Sequence, residues 1–418
     1  LDIVTWEVKM FIKYKRTNTI GKLLISSIVI VLICCSPLIV YCEDNKNADF
    51  DTINESELIE EQSQMPEVKK IEDKLKENVD NGISDILQNY DPKSIISDAA
   101  TGKFELNIKS IASNALKYLF KEIYSNLNIL IKLIVLIIIC AILKNLQTSF
   151  MSEGVSEIAF YACYIVIVAI ILVSFSTAMQ IGIGMIDDMV DFMYATTPVL
   201  ITLVVSGGNF TTGGVFHPIM LLIVEVSATF MKNVLIPLIF LSTILSIVNN
   251  ISDKIQISRL SNLFKQITGW VLGTILTVFI AVVSLQGSLG AVIDGVTSKT
   301  TKFAIGTFIP VVGKTLADAA DTVIGCTLLI KNAAGLAALI GILVICIVPL
   351  LKILALIALY KATSALVEPV AEKRITNCIS DVSGSMVYIL GVAAAVAFMF
   401  MISITALISA GNLSAMIR

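Results

Sequence analysis

Asp318 and Asp321 stand one helical turn apart within Phe303–Gly335, in sequence otherwise apolar enough for a membrane. Two carboxylates on one helical face can line a hydrophilic path or hold a cation or a proton. The competing reading makes Lys314–Asp321 a short interfacial helix with hydrated acids, bracketed by Lys314 and Lys331 as interface anchors. Lys331 and Asn332 precede the apolar run Ala333–Val348, so the cation either ends a helix, where it complements the dipole, or pairs with Asp321 across a break. Glu225 lies deep in Val215–Met231 and needs a partner or water there. His217, the sole histidine, opens the same run and suits a packing role better than a proton relay. Asp187, Asp188 and Asp191 read as the solvated face of a short external segment, Gln180–Asp191.

Other chemistry has little support. The cysteines are Cys34, Cys35, Cys42, Cys140, Cys163, Cys326, Cys346 and Cys378; no two form a CxxC pair, and most sit in apolar runs as small hydrophobes. With one histidine there is no His/Cys metal spacing and no Ser/His/Asp arrangement, and neither a Walker A nor a GxGxxG motif occurs. The expectation is therefore a non-enzyme with no cofactor and no metal.

The elements that must position these residues are membrane helices. The 418-residue chain is 56% hydrophobic and 15% charged, with a mean hydropathy of +0.87, against about 25% charged residues in an average soluble chain. Several apolar runs approach or exceed the roughly 20 residues that cross a bilayer as helix. The fold class is an all-α, polytopic transmembrane bundle of about ten spans on the length rule. Membrane lipid is its expected surround, and nucleic acid is not an expected partner.

Residues 1–42 contain, from Met10, a basic stretch (Lys13, Lys15, Arg16, Lys22) and the apolar run Leu23–Val40, the pattern of a secretory signal sequence or an uncleaved N-terminal anchor. Residues 43–126 are polar and are expected outside the cytoplasm: too poor in apolar surface to fold as far as Met65, then apolar at helical spacing from Val68, as in short amphipathic helices. Residues 127–191 hold two spans, Leu127–Leu143 and Ile158–Met179, and then the acidic segment.

From residue 192 the chain repeats itself. Pro198 and Pro310, Pro237 and Pro349, and Gly213 and Gly325 are each 112 residues apart, dividing the membrane part into 192–302 and 303–418. Pro198, Pro237, Pro310, Gly313 and Pro349 are expected to break or re-orient helices. The basic stretches Asn249–Lys265 and Lys361–Cys378 occupy matching places in the two copies. Both facing the cytoplasm under the positive-inside rule makes the copies parallel rather than inverted.

At these residues the chain resembles the stage III sporulation protein AE family of endospore-forming bacteria. The resemblance rests on Phe216–Pro218, Pro237–Val248, Ser252–Lys254, Leu285–Gly287, Asp294–Gly295, Phe308–Gly313, Asp318–Val323, Leu328–Gly335 and Leu351–Leu356. It runs from about Met193 to Leu413, with an N-terminal region alike in layout only. It implies a multi-pass subunit of a secretion-like channel complex in the mother-cell membrane around the forespore, needed for late forespore gene expression. Implied partners are the other proteins of the stage III sporulation A operon and a forespore-membrane protein. No catalytic or metal-binding residue comes with the family. A stand-alone secondary transporter using Glu225, Asp318 and Asp321, and a non-conducting membrane scaffold, are the rival readings.

Overall fold

The computed structural model describes Ile86 and residues 108–150, 153–251, 257–308 and 313–417. The signal or anchor region, most of the polar segment and Pro310 lie outside the described residues. Among those described there is no strand, and six helical stretches are long and apolar enough to cross a membrane. The protein is a multi-pass, all-α membrane bundle.

The helices are α1 (Ile108–Ser125), α2 (Leu127–Phe150), α3 (Glu153–Ser206), α4 (His217–Phe230), α5 (Ile236–Ile251), α6 (Ser258–Phe308), α7 (Gly313–Val367) and α8 (Lys373–Ile417). Two π-turns, Thr212–Phe216 and Met231–Leu235, lead into α4 and α5 and join them into one rod, Thr212–Ile251. α7 and α8 are the most buried of the six spans and pack on each other more extensively than any other pair. Small side chains make this close packing possible: Ala333, Ala334, Ala337 and Ala338 on α7, and Ala393, Ala395 and Ala397 on α8, are all buried. Gly182 of α3 meets α8 so closely that an added Cβ would stand 2.9 Å from Ile389 Cγ2.

Three sequence expectations change. The acidic segment is not a short element of its own, because α3 runs unbroken for 54 residues through Asp187, Asp188 and Asp191. The separate spans expected on either side of it are one rod, and the span count falls from about ten to six among the described residues. Within that helix Lys232 pairs with Asp187, while Asp188 and Asp191 stay exposed as the solvated face the sequence suggests.

Pro198 and Pro349 lie inside continuous helices, α3 and α7. Each removes one i→i−4 hydrogen bond, but packing along these long helices outweighs that local cost. Pro237 is the second residue of α5, straight after the π-turn Met231–Leu235, and Pro218 follows Thr212–Phe216 in the same way. At both places the wider π-turn absorbs the missing N–H and ring bulk, so the rod shifts register without ending. Gly313 is the first residue of α7. A true stop instead falls at Gly207–Asn209, where Gly208 takes φ 80° and the amides of Gly207, Gly208 and Asn209 bond back to carbonyls of Leu203, Val205 and Val204.

In chain order α3, the stop at Gly207–Asn209 and the proline-bearing rod Thr212–Ile251 come first, then α6, α7 with Pro349, and α8. The C-terminal end of α5 and the start of α8 meet at one end of the bundle, where Arg374 Nη1 donates to the Ile251 carbonyl (3.4 Å) and Asn250 Nδ2 to Asp381 (3.1 Å). Lys144, near the end of α2, pairs there with Glu372.

Candidate functional site: a polar seam along the bundle

Polar side chains inside this bundle gather at three levels. At the end where α5 and α8 meet, Ser242 and Ser246 of α5 lie one turn apart and face Ser261 of α6. Ser261 Oγ is 2.6 Å from Ser246 Oγ and donates to the Ser242 carbonyl at 2.9 Å, while Ser242 Oγ donates to the Ser261 carbonyl at 2.9 Å. Lys265, one turn further on, donates to Ser246 Oγ (3.3 Å) and lies 4.0 Å from Asp381 of α8. These reciprocal bonds tie α5, α6 and α8 together with no unpaired hydroxyl among the three serines.

Halfway along the rods, Lys232 of the second π-turn pairs with Asp187 of α3. Two turns further along α3, Tyr194 lies beside Glu225 of α4. Asp187, Asp191 and Tyr194 recur at i, i+4 and i+7, and Glu225 and Lys232 at i and i+7, so each set forms a stripe and the two stripes face one another. Val190, Met193, Tyr194, Leu221, Glu225 and Phe400 line a small cleft at this level.

The far level holds the most deeply buried charges. Asp294 of α6 is 2% exposed, and its two carboxylate oxygens accept the backbone amides of Thr211 (2.8 Å) and Thr212 (2.9 Å). It caps the start of the Thr212–Ile251 rod from across the bundle, where no local N-cap side chain serves. Gln286, Gly290 and Asp294 recur every fourth residue on the inner face of α6, and Gly290 leaves only 2.7 Å between its virtual Cβ and Thr212 Oγ1. His217 is 1% exposed on the same rod, and its Nε2, Thr212 Oγ1 and Gln286 Oε1 are buried without a protein partner. On the other side of the bundle Lys331 is fully enclosed, its Nζ donating to the Ile408 carbonyl of α8 at 2.9 Å. Gly335, one turn on, has Ile408 where its own Cβ would stand, which lets the two helices close over the cation.

Lys331 is therefore a buried interhelical donor, not an interface anchor or a helix-end cation. Its neighbour Asn332 keeps a buried Oδ1 without a protein partner. Asp318 and Asp321 fall on the first turns of α7, one turn apart, with side chains outside the described residues. The structure brings Glu225 together with Tyr194 and leaves it at a different level from Lys331. Sequence reading passed over Lys232, Lys265, the serine ladder and the capping role of Asp294. The one local signal among them is the i, i+4 pair Ser242/Ser246; Lys232, Asp294 and Lys265 pair with Asp187, Thr211 and Asp381, 45 to 116 residues away in the chain.

Residues 90–411 match the family described as stage III sporulation protein AE. A relative from Bacillus subtilis (strain 168), named stage III sporulation protein AE, is 38% identical over 301 residues, covering 72% of this chain and 75% of its own length. No solved structure matches the chain. The matched region begins about a hundred residues earlier than the motifs beginning near Met193 imply, and takes in α1, α2 and most of α3.

Proposed function

The chain belongs to the stage III sporulation protein AE family, and from that premise we propose that it is a membrane subunit of a secretion-like channel complex linking mother cell and forespore. It sits in the mother-cell membrane with residues 43–126 outside the cytoplasm, engages the other products of the stage III sporulation A operon and a forespore-membrane partner, and sustains late forespore gene expression. The observation that carries this reading is the polar seam: Asp187–Lys232 and Tyr194–Glu225 lie inside stretches otherwise apolar enough for lipid. Charged groups at such depth are costly, and they characterise membrane proteins that pass or sense polar matter. The end of α5 and the start of α8 lie together, which is compatible with a parallel pair of repeats, the arrangement that suits a channel subunit better than an inverted-repeat transporter.

Deleting the gene in its native host is expected to abolish heat-resistant spores while leaving vegetative growth intact; an undiminished spore yield refutes the reading. Restoring the gene with Asp187→Asn and Glu225→Gln, at normal protein level, then separates a conducting seam from a scaffold. Loss of late forespore reporter expression supports conduction, and full restoration supports the scaffold.

A further inference from the structure

We propose that the cavity between the end of α2 and the start of α8 binds an aminophospholipid headgroup, a phosphate joined by a short carbon link to a primary ammonium. The cavity holds about 200 Å³ and lies between Ala141, Lys144 and Asn145 of α2, Val370 and Glu372 of the α7–α8 connection, and Ile375 of α8. That is on the order of seven waters at about 30 Å³ each, room for a headgroup and too little for its acyl chains.

The walls are held by backbone bonds. The amides of Val370 and Ala371 bond back to the Val367 carbonyl (3.0 and 2.7 Å), and the Glu372 carbonyl accepts the amides of Ile375 (2.9 Å) and Thr376 (3.2 Å) at the start of α8. Glu372 therefore reaches the cavity from a fixed position, as a preformed site requires.

The charges call for a zwitterion. Lys144 and Glu372 are the charged side chains among those lining the cavity, and they cancel. Both cations near the carboxylate meet the same oxygen: Glu372 Oε1 pairs with Lys144 Nζ and lies 3.7 Å from Arg374 Nε. The other oxygen, Oε2, is buried without a protein partner. Both oxygens of a carboxylate are acceptors, and one left unmade in a buried place is costly. A primary ammonium brings Oε2 both N–H donors and the opposite charge; a quaternary ammonium brings the charge alone. At the other pole the Lys144 ammonium and the exposed Asn145 amide are donors suited to phosphate oxygens. An anionic headgroup without an amine would suit Lys144 but set its own charge against Oε2.

The rim favours a lipid over a soluble zwitterion. The membrane-grade stretch of α2 ends at Asn145, so the cavity is level with the edge of that span. Around it Ile142 is 53% exposed, Leu366 64% and Val370 57%. Charged groups beneath an apolar rim, at the end of a span, match an amphiphile whose head enters the cavity while its chains follow the exposed isoleucines of α2.

The test uses the full chain, purified in detergent and stripped of lipid, with bound lipid counted by native mass spectrometry. Phosphatidylethanolamine is expected to bind about tenfold more tightly than phosphatidylcholine or phosphatidylglycerol of the same acyl chains. Glu372→Gln should abolish the preference over phosphatidylcholine. Ala141→Phe, which fills the cavity and touches no charge, should weaken phosphatidylethanolamine binding about tenfold, and it keeps the test decisive if Glu372→Gln fails to fold. Soluble phosphoethanolamine in large excess should leave the lipid in place. Equal binding of the three lipids, a preference that survives Glu372→Gln, binding indifferent to Ala141→Phe, or displacement by soluble phosphoethanolamine would each overturn the proposal. The readout is binding by the isolated protein, so its failure is distinct from failure of the channel reading.

Discussion

Replacing Asp294 should unfasten the start of the Thr212–Ile251 rod before it disturbs anything else. Its carboxylate takes two backbone amides at 2.8 and 2.9 Å in a site 2% exposed, so Asp294→Ala leaves two buried N–H groups with no acceptor. Each orphaned donor costs about 1–3 kcal/mol, and loss of an N-cap by itself costs about 0.5–2 kcal/mol. Because the two bonds act on one helix start, about 2–4 kcal/mol for the pair is the reasonable sum. Asp294→Asn keeps one oxygen and so should lose about half of that. The assay is amide hydrogen exchange of the detergent-solubilised protein at Thr211 and Thr212. In the Ala variant, opening at these amides should become roughly 30- to 1,000-fold more frequent, at about 1.4 kcal/mol per factor of ten. Exchange in α8 should hold, since α8 is anchored elsewhere. If Thr211 and Thr212 exchange at the same rate in both variants as in the parent, Asp294 is not the cap and the argument fails.

Other expectations follow from the same contacts. Gly335→Val drives a side chain into Ile408, whose Cγ1 lies 2.4 Å from the virtual Cβ; about 1–3 kcal/mol of stability should be lost, visible as a lower Tm and partly recovered by adding Ile408→Ala. Ser261→Ala removes the shared partner of Ser242 and Ser246 and should cost about 1–2 kcal/mol in thermal unfolding, whereas Thr274→Ala on the outer face should be nearly neutral. Asp187→Asn and Lys232→Met, each in a half-exposed pair, should shift stability by less than about 1 kcal/mol, yet the charge-swapped double variant should sporulate better than either single reversal. Single cysteines at Asn262 and Arg374 should be labelled from the same side of the membrane, and labelling from opposite sides would refute the parallel repeat.

The bundle was legible because its signal is additive: long apolar runs sum to a membrane protein whichever residue one doubts. Punctuation was harder to read. Pro198 and Pro349 looked like breaks because each proline removes a hydrogen bond, but a 54- or 55-residue helix packed along its length tolerates one missing bond. Asp187 read as a simply solvated acid because its counter-charge is 45 residues away, on a π-turn that local sequence does not announce. The motifs behind the family resemblance fared better than their local context suggested. Phe216–Pro218, Leu285–Gly287 and Asp294–Gly295 are far apart in the chain, yet Thr212, Gly290 and Asp294 draw them to one junction at the far end of the bundle. That Glu225 shares a cleft with Tyr194, on the preceding helix, is a fact of packing alone.

The proposed duplication makes the distribution of polar groups informative. Between Gly213/Gly325 and Pro237/Pro349 the 112-residue offset pairs Glu225 with Ala337 and Lys232 with Val344. Ala337 and Val344 are buried in the core, while Glu225 and Lys232 face α3 at the edge of it. One copy's rod has thus become the enclosed centre, with Lys331 as its one charge, and the other carries Glu225 and Lys232 at the periphery. If the first copy alone carries function, exchanging Ala337 for Glu should destabilise the fold without creating activity. Exchanging Glu225 for Ala should leave the fold standing and impair sporulation. The opposite pair of outcomes would place the working surface in the second copy and reduce the seam along α3 to packing.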